Sequence, residues 1–239
     1  MPYCRIFLSQ PLAIDHDVII PEDISHYLRH VMRLHEGDPI TIFNGEGGEY
    51  QATINLLAKQ QGSCHLEAFT DVSRELSLPI HIIQCANKSE KIETVLQKGT
   101  ELGAASFQIA NSQRSTLKLS GIKLEKRLER WQRIIIEAAE QSERTAVPSL
   151  HWCSHLKDVQ CIGNGYALHP HQAEPWAELR EELAHSESIT FAIGPEGGWS
   201  PDDLRLFHQL NFQNMTFGNR IMRTETAAPA LLAATQAML

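Results

Sequence analysis

Residues 193–199 combine residue types that suit close contact with a ligand. The apolar run ends at Ile193, and Gly194, Pro195, Glu196, Gly197, Gly198 and Trp199 follow. Three glycines directly after a buried strand let a ligand approach the backbone where side chains would otherwise stand. A tight strand-to-helix turn without a ligand is the alternative explanation.

The acidic residues around this glycine loop argue against a phosphate ligand. The loop has neither the G-x-x-x-x-G-K-[ST] nor the G-x-G-x-x-G spacing of phosphate-binding loops. Glu196, Asp202 and Asp203 lie where an anion would have to bind. A cationic or zwitterionic ligand is tolerated there, which favours S-adenosylmethionine over ATP.

A second loop, residues 218–227, crowds charged and hydroxyl side chains before an otherwise apolar helix. Thr224 or Thr226 as N-cap, with Glu225 in the first helical turn, is a structural explanation for three of these side chains. It does not explain Arg223, because a cation is unfavourable near a helix N-terminus. The pattern therefore predicts a functional role for Arg223.

Alternating strands and helices after Pro79 are expected to position these loops. The pattern predicts strands over 80–86, 107–110, 166–169, 189–193 and 214–217. It predicts a first helix from Asn87 to Gly103, with a capping box between Asn87 and Glu90, and a second helix over 123–143. A third helix is predicted to begin at Ser200, and a last one ends the chain. This order predicts a parallel sheet covered by helices, with the loops after Leu168, Ile193 and Phe217 at the carboxyl ends of strands, where ligands bind.

Residues 1–73 show a different pattern of short strands and turns. Strands are predicted over 5–8, 39–43, 49–54 and 63–69, with a hairpin turn at residues 44–48 and one helix over 23–34. We interpret this region as a small β-barrel-like domain, residues 73–79 as a linker, and residues 79–239 as a second, α/β domain.

Composition narrows the class of protein. The chain has 239 residues, 42% of them hydrophobic, and no run of apolar residues long enough for a membrane span. The first six residues lack the features of a secretion signal, so we expect a cytoplasmic protein. The five cysteines include no C-x-x-C pair and the twelve histidines form no H-E-x-x-H motif, so we expect no metal site.

The net charge of −8 hides an uneven distribution. Residues 88–133 carry ten Lys and Arg against five Glu, a local net charge of +5. Such a face is either a footprint for a polyanion or a solvated helix surface with salt bridges.

At these loops the sequence resembles the RsmE family of ribosomal RNA uridine-N3 methyltransferases, which belong to the SPOUT class. Residues 194–198 and 218–227 carry the resemblance, the latter matching G-x-R-[IV]-L-R-x-E-T with Met222 in place of leucine. Further matches lie at Lys88 with Lys91, residues 97–103, Arg114-Ser115, Trp131 and residues 137–144. Near the N-terminus, Arg5, residues 30–34 and Gly37-Asp38 also agree. The likeness therefore covers nearly the whole chain.

The resemblance implies a PUA-like RNA-binding β-barrel (1–73) before a SPOUT α/β domain (79–239) with a parallel sheet and a C-terminal trefoil knot. It implies S-adenosylmethionine as the cofactor and small-subunit ribosomal RNA or the assembled 30S subunit as the partner. It also implies a homodimer, and we expect no membrane partner and no metal. The implied cofactor-binding residues are Leu168, His169, Pro170, Ile193, Gly194, Pro195, Glu196, Gly197, Gly198, Phe217, Gly218, Ile221, Met222, Arg223, Thr224 and Thr226. We expect RNA contacts from Arg5, Arg29, Arg33, Lys88, Lys91, Arg114 and Arg144.

Arg223 is the leading catalytic candidate, because uridine N3 must lose a proton before it can attack a methyl group. A guanidinium can stabilise the negative charge that then develops on a uracil oxygen. Glu225 is a candidate base with an equally good capping explanation, and Glu196 is a weaker one. Two alternatives remain: a SPOUT enzyme acting on a ribose 2′-hydroxyl or another base, and a catalytically silent RNA-binding relative.

Overall fold

The computed structural model describes residues 4–171 and 173–239. Residues 1–3, which belong to the N-terminal stretch used above in the secretion argument and to the predicted first domain, lie outside the described residues. The chain forms two compact units. Unit 1 comprises the residues up to Glu75 together with Ala139–Val147, and unit 2 comprises Leu76–Ala138 and Pro148–Leu239.

Unit 1 is built on a five-stranded sheet. Its elements are β1 (Arg5–Phe7), β2 (Asp17–Ile20), α1 (Glu22–His30), β3 (Pro39–Phe43), β4 (Glu49–Leu57) and β5 (Gly62–Thr70). The strand order is β1-β3-β4-β5-β2, with β1 parallel to β3 and the other pairs antiparallel. Apolar side chains that alternate along the strands, such as Ile6, Ile20 and Ile54, form its core with Leu28 of α1.

The predicted hairpin between β3 and β4 is confirmed. Gly48 has φ +67°, and a Cβ there would lie 2.3 Å from the Phe69 ring, so only glycine fits. Strand β2 was not predicted from the sequence, because its four residues are too few to establish an alternating pattern. Helix α1 ends at His30, four residues before the predicted end at Leu34.

Residues 139–147 belong to unit 1 and comprise the end of the long helix α3 (Gly121–Gln141) and the residues that follow it. Hydrogen bonds and ion pairs of buried arginines join them to the rest of unit 1. Arg5 forms a salt bridge with Glu49 and donates to the carbonyl oxygen of Arg144 at 2.6 Å. Arg144 pairs in turn with Glu75, at 3.0 Å from Nε to Oε2. Arg74 also binds Glu49, at 2.8 Å.

These contacts change the interpretation of two arginines. Arg5 and Arg144 were expected to bind RNA, but they are only 6% and 5% exposed and their guanidinium groups are engaged inside unit 1. A buried charge needs such pairing, because burial removes its hydration. The structure therefore gives both residues a structural task within unit 1.

Unit 2 contains a seven-stranded, wholly parallel sheet. Its strands are β6 (Ile80–Cys85), β7 (Ser106–Ala110), β8 (Ser149–Cys153), β9 (Asn164–Leu168), β10 (Glu174–Pro175), β11 (Ile189–Ile193) and β12 (Phe212–Thr216), in the order β10-β12-β9-β11-β6-β7-β8. Its further helices are α2 (Ser89–Glu101), α4 (Arg180–Ala184), α5 (Pro201–Gln209) and α6 (Thr224–Gln236). The predicted parallel sheet is confirmed. β8, β10 and α4 were missed because they are short or half polar.

Two further observations concern classes of protein raised by composition. Among residues 4–171 and 173–239, no helix has both the length and the apolar character needed to cross a membrane. The part of the chain that the structure describes also holds no cluster of three or more His, Cys, Asp or Glu side chains arranged for a metal ion.

The buried charges of unit 1 predict an acid-sensitive stability. A hydrogen bond from Arg74 is the main cause of a lowered pKa at Glu49. Burial opposes this shift, and a hydrogen bond from Arg5 adds to it. The stabilisation is therefore present above the unfolded-state pKa of about 4.3 and is lost as pH falls through the lower folded-state pKa. We expect Glu49→Gln to destabilise unit 1 by about 2 kcal/mol at pH 7, because it weakens the pairing of two arginines.

Hydrogen exchange of peptides from β1, β3 and β4 of the full chain measures this effect. Glu67→Gln is the matched control, because Glu67 is exposed and accepts a surface hydrogen bond from Thr53. The difference between wild type and Glu49→Gln should shrink below about pH 4. An equal difference at pH 7 and pH 3.5 would contradict the assignment.

Candidate active site

The three loops singled out in the sequence meet at one edge of the unit 2 sheet. Strands β12, β9, β11 and β6 are neighbours and all parallel, so their carboxyl ends lie side by side. Trp199 Nε1 donates to the carbonyl oxygen of Leu168 at 2.9 Å, which joins the glycine loop to the loop after β9. The His169 backbone N–H donates to the carbonyl oxygen of Met215 at 2.8 Å.

A buried hydroxyl joins the start of α6 to two strand ends. Thr224 Oγ1 donates to the carbonyl oxygen of Gly194 at 2.9 Å. It accepts from Gln84 Nε2 at 2.8 Å and from Asn87 Nδ2 at 3.4 Å. One side chain thus holds together the ends of β6 and β11 and the first residue of α6.

These bonds correct two capping predictions. The N-cap of α6 is Arg223, without a side-chain capping bond, so neither Thr224 nor Thr226 caps the helix. The N-cap of α2 is Lys88, and the side chain of Asn87 bonds to Thr224 instead of forming a capping box. In both cases the side chain forms a hydrogen bond with a residue that is distant in the sequence instead of capping its own helix. By contrast, the Ser200–Asp203 capping box at the start of α5 is present.

The glycine loop presents bare backbone. The Gly198 N–H donates to the carbonyl oxygen of Pro195 at 2.8 Å, and φ is +67° at Gly198 and +68° at Gly218. Apart from the glycine itself and its two neighbours in the chain, no described atom lies within 4 Å of where a Cβ would stand at either glycine. Gly197 differs, because its Cβ would contact the Arg114 side chain at 3.4 Å, and Arg114 Nη1 donates to its carbonyl oxygen at 2.7 Å.

The charged side chains of the two loops converge on one lysine. Lys91 Nζ lies 3.0 Å from Glu196 Oε1 and 3.1 Å from Glu225 Oε2. Its carboxylate partners, Glu196 first, raise the pKa of Lys91. Burial opposes a lowered pKa at Glu225, but the helix backbone, Lys91 and the nearby Arg223 outweigh it and lower the pKa. Lys91 is therefore cationic and Glu225 anionic at neutral pH.

The site also contains buried acceptors without a donor. Within the described part of the chain, Gln84 Oε1 and Asn87 Oδ1 have no hydrogen-bond partner, although both residues are at most 1% exposed. Leaving such an acceptor unpaired costs about 1–3 kcal/mol, so a ligand that supplies donors here would be favoured.

The remaining predicted cofactor residues differ in exposure. Phe217 is half-buried and meets the Trp176 ring edge-on, with ring centroids 5.5 Å apart. Ile193 and Pro195 are buried, and Met222 is half-buried. Pro170, Gly218, Arg223 and Thr226 are exposed, and Ile221 is 77% exposed.

The basic residues expected to contact RNA fall into two groups. Arg33, Lys88 and Arg114 are exposed and Arg29 is half-buried, whereas Arg5 and Arg144 are interior and Lys91 is bound to two carboxylates. Salt bridges also occupy part of the basic stretch 88–133. Arg127 and Arg130 of α3 both bind Glu93 of α2.

Sequence analysis did not predict that Gln84 and Trp199 contribute to the site, nor that Asn87 bonds to Thr224. Gln84 could have been recognised, because it is an amide at the carboxyl end of the otherwise apolar strand β6. A polar residue at that position of a buried parallel strand must find a partner, which points to the site.

Unit 2 has a parallel sheet with glycine-rich, ligand-accessible loops at its carboxyl ends, and comparison with known families defines its class as an RNA methyltransferase domain. Residues 74–236 match the family profile described as RNA methyltransferase domain, and residues 20–66 match the RNA methyltransferase PUA domain. The expected order of a PUA-like domain before an α/β domain with a parallel sheet is thereby confirmed.

Relatives of this chain carry a more specific description. It is 31% identical to the ribosomal RNA small subunit methyltransferase E of Synechocystis, over 98% of this chain and 78% of the relative. It is 32% identical to that of Bacillus subtilis, over 84% and 82%. The chain belongs to the ribosomal RNA small subunit methyltransferase E family, as the sequence resemblance indicated.

Solved structures agree. The enzyme of that name from Neisseria gonorrhoeae, bound to S-adenosyl methionine, superposes with a TM-score of 0.89 at 30% identity, covering 99% of this chain and 98% of that one. A protein from Legionella pneumophila, solved with the cofactor SAM bound, gives 0.91 at 30% identity with the same coverage.

The Thr224 hydroxyl predicts a sharp difference between two substitutions. Thr224→Val keeps the shape but leaves the Gly194 carbonyl oxygen and two amides without their partner, so we expect unit 2 to lose about 2 kcal/mol. Thr224→Ser keeps the hydroxyl and should lose less than half as much. All four tryptophans lie in unit 2, so urea unfolding followed by tryptophan fluorescence is the measurement. Equal losses in both variants would contradict the role assigned to the hydroxyl.

Proposed function

We propose that this protein transfers a methyl group from S-adenosylmethionine to N3 of a uridine in small-subunit ribosomal RNA. The observation that carries the proposal is the convergence of the glycine loop, Thr224 and Arg223 at the carboxyl edge of the sheet, in a chain of this family. The cytoplasm is the expected compartment for such a substrate.

The residues present fit S-adenosylmethionine better than a nucleoside triphosphate. Gly198 and Gly218 leave space beside the backbone, and the unpaired oxygens of Gln84 and Asn87 can accept from the hydroxyl or amino groups of a ligand. The acids Glu196 and Glu225 tolerate a ligand with positive charge and repel phosphates. When bound, the cofactor supplies an electrophilic methyl group.

The protein must hold uridine N3 in line with that methyl group and favour the loss of the N3 proton to solvent water, while S-adenosylhomocysteine is the leaving group. Positioning of this kind contributes several kcal/mol to a displacement, about 7 or more when alignment is good. Arg223 is exposed at the start of α6, where its guanidinium can stabilise charge on a uracil oxygen. The lowered pKa of Glu225 makes it a weak base, so we assign it to holding Lys91 rather than to proton removal.

We further propose that the chain is a homodimer with a knotted C-terminal region. α6 returns from β12 to pack against α2, β6 and β11, an arrangement that supports a threaded connection. The homodimer is proposed from the family to which the chain belongs.

Methyl transfer from labelled S-adenosylmethionine tests the proposed function directly. The purified protein is incubated with 30S subunits or free 16S RNA that lack the modification, and the labelled nucleoside is identified by mass spectrometry. We expect 3-methyluridine. Label in a 2′-O-methylated nucleoside or in another base would favour the alternative SPOUT activities, and no cofactor binding would favour a silent RNA-binding protein.

Arg223→Ala tests the catalytic assignment. Losing one group that stabilises a developing charge is expected to lower kcat about 100-fold or more, with a much smaller change in cofactor affinity. Arg180→Ala, on the surface of α4, is the matched control and should keep wild-type kcat. Wild-type kcat in Arg223→Ala would remove this residue from the mechanism.

RNA binding is expected to depend on the exposed Arg33, Lys88 and Arg114 and on the half-buried Arg29. Arg29→Ala, Arg33→Ala, Lys88→Ala and Arg114→Ala should each reduce the slope of log K against log salt by about one if the residue contacts a phosphate. Filter binding at 50–300 mM salt measures the slope. A slope unchanged in all four variants would place the RNA elsewhere.

A further inference from the structure

We propose that Lys91 is a positioning residue that joins the glycine loop to the start of α6, and not an RNA contact. This inference rests on the proposed function, because it takes the glycine loop as the cofactor site and Arg223 as the catalytic residue. It assigns a task to an interaction that connects three separate segments of the chain.

The geometry of the bridge supports this task. Lys91 lies in the first turn of α2, Glu196 in the glycine loop and Glu225 in the first turn of α6. With the ammonium nitrogen 3.0 Å and 3.1 Å from the two carboxylate oxygens, those oxygens cannot be more than 6.1 Å apart. Without the ammonium, two negative charges would face each other at this separation and push the segments apart.

The bridge also explains how cofactor and substrate positions are coupled. Glu196 stands between Pro195 and Gly197 of the loop that presents bare backbone, and Glu225 follows Arg223 by two residues. Any shift between the loop and the helix start therefore changes the distance between cofactor and guanidinium. Lys91 holds that distance from a third element, α2, which packs on α6.

The side chain of Lys91 is 23% exposed, so a nearby phosphate could reach it only by competing with two carboxylates already in contact. Lys88, one turn earlier, is exposed and open to solvent. The structure thus separates two lysines that look equivalent in the sequence.

Lys91→Met is the test variant, with S-adenosylhomocysteine as the probe. This probe has no sulfonium charge, so attraction between that charge and the freed carboxylates does not enter the measurement. We expect its Kd, measured by calorimetry at low salt, to rise about fivefold in Lys91→Met. Lys91→Arg should restore most of the affinity. High salt should narrow the difference, because it screens the repulsion.

Lys98→Met is the matched control. Lys98 lies on the same helix and pairs with Glu101 at 2.9 Å, but that ion pair joins residues of one helix only. Its loss should leave the Kd for S-adenosylhomocysteine unchanged. The melting temperature of each variant, followed by tryptophan fluorescence, shows whether it folds.

A second substitution distinguishes repulsion from simple loss of packing. In the double variant Lys91→Met with Glu196→Gln, one of the two facing charges is gone, so this protein should bind the probe more tightly than Lys91→Met alone. If the losses of affinity from the two substitutions simply add, the proposal is overturned. It is also overturned if Lys91→Met leaves the Kd unchanged and reduces the slope of log K for RNA against log salt by about one. If the wild type itself fails to bind the probe, the proposed function fails.

Discussion

The hydrogen bonds of one buried hydroxyl set the relative position of three segments that are far apart in the sequence. Thr224 Oγ1 donates to Gly194 and accepts from the amides of Gln84 and Asn87. Loops at the ends of parallel strands have no ladder partners beyond the sheet, so they need such a connection to keep one geometry. The residues on either side of Thr224 are the proposed catalytic arginine and the glutamate that holds Lys91.

Electrostatics then selects the ligand. Glu196, Lys91, Glu225 and Arg223 alternate in sign around the loops, so each charge has an opposite neighbour. Isolated phosphate would meet carboxylates on both loops, whereas a zwitterion with an adenosine group brings donors for unpaired amide oxygens and no excess negative charge. The same alternation keeps Glu225 ionised, which is why Arg223, rather than this acid, is the residue on which the proposed chemistry depends.

Arginine has two physically different tasks in unit 1. Arg5 and Arg144 are interior, where each guanidinium is paired with a carboxylate and Arg5 also lies over the Phe43 ring. Arg33 is exposed and available to a polyanion. The interior pair ties the segment 139–147 to the strands of unit 1, so a stretch that is distant in sequence completes this unit. Residue type alone does not distinguish these tasks, because the carboxylate partners of Arg5 and Arg144 lie 44 and 69 residues away in the sequence.

Sequence alone determined the features that depend on neighbouring residues: the alternation of strands and helices, the hairpin turn at residues 44–48, the helix start at Ser200 and the glycine loop after β11. It also indicated the family, through motifs that are contiguous. Tertiary structure decided which hydrogen bonds Asn87 and Thr224 make, that Arg5 is interior and that Lys91 bridges two carboxylates. The physical reason is that a cap or a turn is chosen by atoms within four residues along the chain, whereas a polar side chain takes whichever partner the fold brings within about 3 Å.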